Sequence, residues 1–313
     1  GSDGSLDTIH AFEDWYESTY GQKVKVNYST YASNEDLYAK LKSGAVSYDV
    51  IIPSDYMIAR LKDEGMLQPL NFDNIPNYQH IHEGFQGLYY DPDNQYSVPY
   101  TYGVVGIIYD ANQVDPADAQ GWDLMWNEKY AGKILQFNNS RDAFGTAMYK
   151  DGLDVNTTDK AQWDQALQTL LDQRPLVKGY VMDEIFNSLE SGEAAIGAYY
   201  AGDYFTMAEA QAENVDLQFY YPEPTNYFID AMCIPTCSKN YEDALAFINF
   251  MCRDDIVLRN CEETGYSCPS ATALEEMDEE MAADPVAYPG ADILDKAETF
   301  GGLPEETLTF YDH

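Results

Sequence analysis

Positive charge is scarce in this chain. Its 313 residues hold 17 lysines and arginines against 54 aspartates and glutamates, for a formal net charge of −37. Phosphate contact needs clustered basic side chains, so nucleic acid is close to excluded as a partner. Anionic small ligands fit poorly for the same reason. Most of the acidity reads as a solvated, self-repelling surface, yet its sign suits a cationic ligand. Histidine is also rare, with four copies: His10, His80, His82 and His313. The close pair His80 and His82 reads as a solvated loop rather than a metal site. The five cysteines all lie in the last third. They form no repeated Cys-x-x-Cys pattern and have no histidine nearby, so no metal centre is expected. Their odd number gives no complete disulfide framework; buried thiols with at most one bridge are expected. No other cofactor is expected either. No run of about 18 apolar residues exists that could span a bilayer. The opening Gly1–Ser5 reads as a turn or a chain end rather than an export signal, which leaves targeting open.

Aromatic residues are plentiful: 27 tyrosines, 13 phenylalanines and 4 tryptophans. Ring faces suit sugars, alkyl chains and ammonium groups alike, and many of these rings must be core. The length is more than one core needs and comfortable for two lobes. Helical and strand-like periodicities alternate, which predicts an α/β architecture. Ile9, Phe12, Tyr16 and Tyr20 recur at helical spacing, predicting a helix over 5–20 stopped by Gly21. The alternation of Val24, Val26 and Tyr28 predicts a strand over 23–30. Residues 33–36 read as a capped helix start leading through Leu37 and Leu41. A buried strand is expected at 48–52, broken by Pro53 and Ser54, with a helix to Gly65. Further strands are expected at 95–108, 134–137, 194–198, 217–221 and 228–234, and helices at 142–150, 160–173, 183–191 and 241–253. Residues 122–130 read as a short element with a turn. Ser54 and Tyr56 follow a strand, where open α/β sheets bind ligands.

The order of several short segments resembles the spermidine/putrescine-binding proteins of bacterial ABC importers. The matching pieces are Val26-Asn27-Tyr28-Ser29-Thr30-Tyr31, Ser33-Asn34-Glu35, Tyr48-Asp49-Val50-Ile51-Ile52-Pro53-Ser54 and Glu64-Gly65-Met66, then Tyr96-Ser97-Val98-Pro99-Tyr100, Ala201-Gly202-Asp203, Asp230-Ala231-Met232-Cys233-Ile234-Pro235 and Gly265-Tyr266. They run in consistent order from about Lys23 to Ser270. The resemblance implies a type II periplasmic-binding-protein fold, two α/β lobes joined by crossing hinge strands. By similarity, residues 1–107 and 228–275 form one lobe and 108–227 and 276–313 the other, with a ligand cleft between them.

A polyamine is an apolar methylene chain with ammonium groups at fixed spacing. Its site needs a carboxylate at each ammonium and flat apolar walls along the chain, and aromatic rings serve as wall and cation partner together. Carried over residue by residue, the resemblance implies ligand contacts from Ser54 and Tyr56, where Ser54 also reads as a helix N-cap. Asp142 falls where the family binds one amine terminus; otherwise it reads as a first-turn helix acid. Asn139 stands where the spermidine binder has an aspartate. Tyr200 matches an aromatic wall, Asp203 an acid of the putrescine branch, Phe228 and Asp230 an aromatic–x–Asp pair, and Tyr266 a closing tyrosine. Asp230 lies in an apolar strand, where an ionised carboxylate is costly without a partner. Ser54, Tyr56, Asp230 and Tyr266 are expected to act from one side, with Asp142, Tyr200 and Asp203 from the other.

The chain begins after the strand and Asn-Trp-x-Glu-Tyr-like segment that open the family, so a preceding segment is expected. Near Phe300-Gly301-Gly302, where the spermidine binder has a contacting glutamine, glycine stands, and that contact is expected to be absent. The implied function is extracytoplasmic polyamine capture, in a periplasm or on a cell surface as a lipoprotein, with delivery to an ABC permease. No catalysis is expected. A monomer is expected, touching membrane only through a lipid anchor. The rival readings are a same-fold binder of another small ligand, such as a sugar, and a glycosidase using two of Asp142, Asp203 and Asp230.

Overall fold

The computed structural model describes residues 7–310. The Gly1–Ser5 turn, the first residues of the first predicted helix and His313 lie outside the described residues. The chain divides into two compact units. The first holds residues 1–101, 230–263 and 268–277, and the second holds 102–229, 264–267 and 278–313. This division departs from the expected limits at 102–107, 228–229, 264–267 and 276–277.

Helix α1 (Thr8–Tyr20) starts where Asp7 accepts the His10 amide, later than the expected residue 5, and ends at Gly21 as predicted. Helix α2 (Asn34–Ser43) starts where the Ser33 hydroxyl accepts the Asp36 amide. Helix α3 (Asp55–Asp63) follows Ser54, which occupies the N-cap position without making a side-chain cap hydrogen bond. The strands expected over 23–30 and 48–52 are corrections: neither forms a strand. Alternation supplies a face but not a ladder, and a strand needs both. Val26 instead donates its amide to the Glu13 carboxylate at 2.8 Å. In the second segment only Ile51 pairs, with Cys233, while Ser54 just beyond it pairs with Asp230.

Strand β1 (Val98–Asp110) carries the chain from the first unit into the second. Residues 122–130 form two short 3-10 turns, Trp122–Trp126 and Glu128–Tyr130. Then come β2 (Ile134–Phe137), α4 (Ser140–Asp151), α5 (Lys160–Gln173), β3 (Val177–Val181), α6 (Glu184–Glu190), β4 (Ile196–Tyr200), α7 (Ala201–Ala210), β5 (Leu217–Tyr220) and β6 (Thr225–Met232). Strand β2 lies parallel to β3 and β4, whereas β1 runs antiparallel to β4 and β5. Val104, Val105, Ile107 and Ile108 of β1 are all buried, as expected for a strand covered on both faces. Strand β6 returns the chain to the first unit, where α8 (Tyr241–Met251) and α9 (Asp254–Thr264) follow.

The core of the first unit joins α1, α8 and α9 with Leu70, Ile75, Val98 and Ile234. Phe12 is 1% exposed and meets Phe247 edge-on at 5.0 Å and Phe250 at 5.5 Å. In the second unit the buried Arg141 donates to Val155 O and Asn156 Oδ1 and lies 4.5 Å from the Phe300 ring centre. Gly301 donates its amide to the same Asn156 oxygen, so residues 300–301 are fastened to α4. Phe12→Ala removes a fully buried ring and is expected to cost about 3–5 kcal/mol, read from the urea midpoint of the full chain. A loss below about 1 kcal/mol would show that α1 is not part of this core.

Candidate functional site

Each unit brings its own subset of the expected residues together. In the first, the Ser54 hydroxyl donates to Asp230 Oδ1 at 2.7 Å. Asn34 holds Ser54 twice: its Nδ2 donates to the Ser54 hydroxyl and its Oδ1 accepts the Ser54 amide, both at 3.0 Å. The bridge between residues 54 and 230 is accompanied by the Ala231 amide donating to Pro53 O. The N-cap bond expected of the Ser54 side chain is not made; the hydroxyl serves Asp230 instead. Tyr56 donates its hydroxyl to Glu35 Oε1 at 2.8 Å. Tyr31 donates to Ile52 O, and its phenol is pushed up by burial first and by the Asp230 charge second.

In the second unit, Asp142 stands in the first turn of α4. Asn139 caps that helix by accepting the Asp142 amide at 2.8 Å, and its Nδ2 donates to Asp142 Oδ2 at 2.8 Å. The Tyr200 hydroxyl donates to the same oxygen at 2.8 Å. Burial raises the Asp142 carboxyl above its ordinary range, against the opposing effects of Tyr200, Asn139 and the Arg141 charge. Tyr200 closes β4 and opens α7, whose first turn carries Asp203. Asp203 Oδ2 accepts the Tyr266 hydroxyl at 2.8 Å. Phe228 links these two clusters, with ring centres 5.3 Å from Tyr200 and 6.3 Å from Tyr266. The result is three rings in sequence with a carboxylate on the hydroxyl of each outer ring.

Tyr266 and Phe228 therefore belong to the second unit, which corrects the side expected for Tyr266. The physical reason is local. A Cβ at Gly202 would fall 2.4 Å from the Tyr266 ring, and one at Gly265, where φ is +72°, would fall 2.6 Å from Gly202 O. Two glycines let the ring lie on the start of α7. Asn34 and Glu35 were missed as site residues. The signal available was the Ser33-Asn34-Glu35 segment itself, which also reads as a helix cap.

Other acids are consumed structurally. Asp91 accepts the amides of Gln95, Tyr96 and Ser97, and Asp49 accepts those of Lys239 and Asn240. His80 lies 3.3 Å from Asp254 and His82 accepts the Gly84 amide, and no group of metal-ligating side chains occurs among the described residues. An open hollow of about 600 Å³ on the second unit is lined by Asp118, Trp126 and Lys150 among others, and none of the expected site residues lines it.

The two donors on Asp142 favour its ionised form. Tyr200→Phe should therefore raise its titration midpoint further, read by carbon-13 NMR of the carboxyl in the full chain. An unchanged midpoint would contradict donation to the carboxylate.

A family model described as bacterial extracellular solute-binding protein matches residues 8–289. The spermidine/putrescine-binding periplasmic protein of Escherichia coli is 33% identical over 279 residues, covering 88% of this chain and 79% of that protein. The solved spermidine/putrescine ABC transporter substrate-binding protein of Streptococcus pneumoniae superposes with a TM-score of 0.79 at 33% identity, over 98% of this chain and 94% of that one. A Treponema pallidum lipoprotein superposes with a TM-score of 0.81 at 26% identity, over 97% and 94% of the two chains. The fold is the α/β type II periplasmic-binding-protein fold. The chain belongs to the bacterial extracellular solute-binding protein family.

Proposed function

We propose that this protein captures linear polyamines of the putrescine and spermidine class outside the cytoplasm and delivers them to an ABC importer permease. The observation that carries the reading is the run Tyr200–Phe228–Tyr266, with Asp142 and Asp203 on its outer hydroxyls. Rings supply a wall for methylenes and an attractive face for ammonium groups. Carboxylates supply short, charge-assisted acceptors for the ammonium protons. The first unit adds Asp230, oriented by Ser54. The names of the Escherichia coli relative and of two putrescine-binding relatives, from Pseudomonas aeruginosa and Escherichia coli, support the ligand class. Their periplasmic designation supports the location, as does the Treponema lipoprotein. No helix among the described residues is long and apolar enough to cross a membrane.

A hydroxyl orients a carboxylate without cancelling its charge. The acids are thus oriented for a cation, whereas a neutral sugar would bring no charge to offset their desolvation. An amine that binds one arrangement of the protein more tightly than another would shift it toward that arrangement, which a permease could recognise. Asn139 contributes an amide where the spermidine binder has an acid, so the negative charge of the second unit's site comes from Asp142 and Asp203. We read the protein as a carrier that makes and breaks no covalent bond.

Asp230→Asn keeps shape and removes charge. It is expected to weaken spermidine and putrescine binding by about 100-fold or more with an unchanged circular dichroism spectrum; calorimetry showing wild-type affinity would remove Asp230 from the site. Asp142 supplies a pH test. Alkylammonium groups stay charged up to about pH 10, and binding favours the ionised carboxylate, so a cation must pull the raised pKa of Asp142 down and release a proton. Affinity should therefore fall as pH drops through the raised carboxyl range and level off above it, and Asp142→Asn should flatten that step. Binding without proton release at a pH inside that falling step, or a step that persists in Asp142→Asn, would contradict the assignment.

A further inference from the structure

Two of the cysteines are in contact. Cys261 lies in the last turns of α9 and Cys268 follows seven residues later. They are 1% and 2% exposed, and the Cys261 thiol hydrogen-bonds to the Cys268 sulfur. The Ser270 amide donates to Cys268 Sγ at 3.4 Å, which fixes that sulfur. By contrast, Cys233 and Cys237 direct their thiols to the carbonyls of Ala231 and Tyr48. Between the contacting pair runs the segment with Gly265 and Tyr266. Glu263 and Cys268 belong to the first unit, while Thr264–Ser267 belongs to the second. The cysteine pair therefore stands at the base of a short excursion whose tip holds Asp203 through the Tyr266 hydroxyl.

We propose that Cys261 and Cys268 are joined by a disulfide in the mature protein, and that this bridge clamps the base of the Tyr266 segment. The oxidant is a disulfide, either that of a protein thiol–disulfide oxidoreductase or a small organic one, and the inference rests on the extracytoplasmic reading for its supply. Cys268 as thiolate attacks one sulfur of that disulfide, expelling the other as a thiol. Cys261 as thiolate then attacks Cys268 Sγ in the mixed disulfide, releasing the second thiol. Two protein thiols are oxidised, one disulfide is reduced to two thiols, and the protons pass to the leaving sulfurs. Donation from Cys261 pulls the Cys268 thiol below its usual range, whereas Cys261 is pushed up, which suits Cys268 as the first nucleophile. With both sulfurs buried, the exchange belongs to folding, when the thiols are still exposed. A closed loop this short loses chain freedom in the unfolded state and holds Tyr266 near its bound position.

The test uses the full chain refolded with oxidised and reduced glutathione, then denatured, alkylated and mapped by mass spectrometry, with no polyamine present. Of the five cysteines, three are expected to take the label, with a cross-linked peptide joining residues 261 and 268. Reductant is expected to lower the melting temperature by roughly 5 °C and to leave the Cys261→Ala/Cys268→Ala protein unmoved. Five labelled cysteines, or a bridge through Cys237, would overturn the proposal whether or not the variant folds. Because no ligand enters, this result is independent of the polyamine reading.

Discussion

A carboxylate placed among aromatic rings is costly unless a donor meets it, and this protein meets that cost with neutral hydroxyls. Ser54 donates to Asp230, Tyr200 to Asp142, and Tyr266 to Asp203. Each hydroxyl fixes the direction of its acid without itself adding a positive charge. Asp91 and Asp49 show the alternative, in which several backbone amides surround the acid and tie it into the fold. The difference between these two kinds of acid is what separates candidate binding residues from structural ones.

The rest of the arrangement serves those three contacts. The abrupt passage from β4 into α7 places Tyr200 and Asp203 within one turn. Gly202, between them, leaves room for the Tyr266 ring, and Phe228 reaches that region from β6 because Gly103 leaves room for its ring in turn. In the first unit, Asn34 grips Ser54 from the first turn of α2, so a helix start doubles as support for a candidate binding group. The net charge of −37 is mostly solvated surface, but it biases encounters toward cations before any specific contact forms.

Most helices were legible because caps and periodicity agree. Ser33 caps where expected and Gly21 ends α1 as predicted, whereas the Asp7 cap was not read from the sequence. Strand β3, helix α7 and helix α9 were not read. Val177–Val181 alternates weakly, α7 begins directly at a strand end, and α9 follows α8 across a gap too short to show as a break. The segment 23–30 alternates well yet forms no strand, since pairing is a tertiary property that periodicity cannot report. All nine site residues named from the sequence fall into hydrogen-bonded or ring-packed clusters. Their partners were less visible. The Ser54 cap reading competed with its contact to Asp230, Glu35 hid inside a helix start, and the side of Tyr266 depended on two glycines far apart in sequence.

The central claim is that carboxylates held in place by neutral hydroxyls select a ligand with more than one ammonium group. Calorimetric titration with a four-carbon diamine and with the four-carbon monoamine tests it most directly, because the two differ by a single charged end on the same apolar chain. The account predicts a diamine bound about 100-fold more tightly. Equal affinity for both would contradict it.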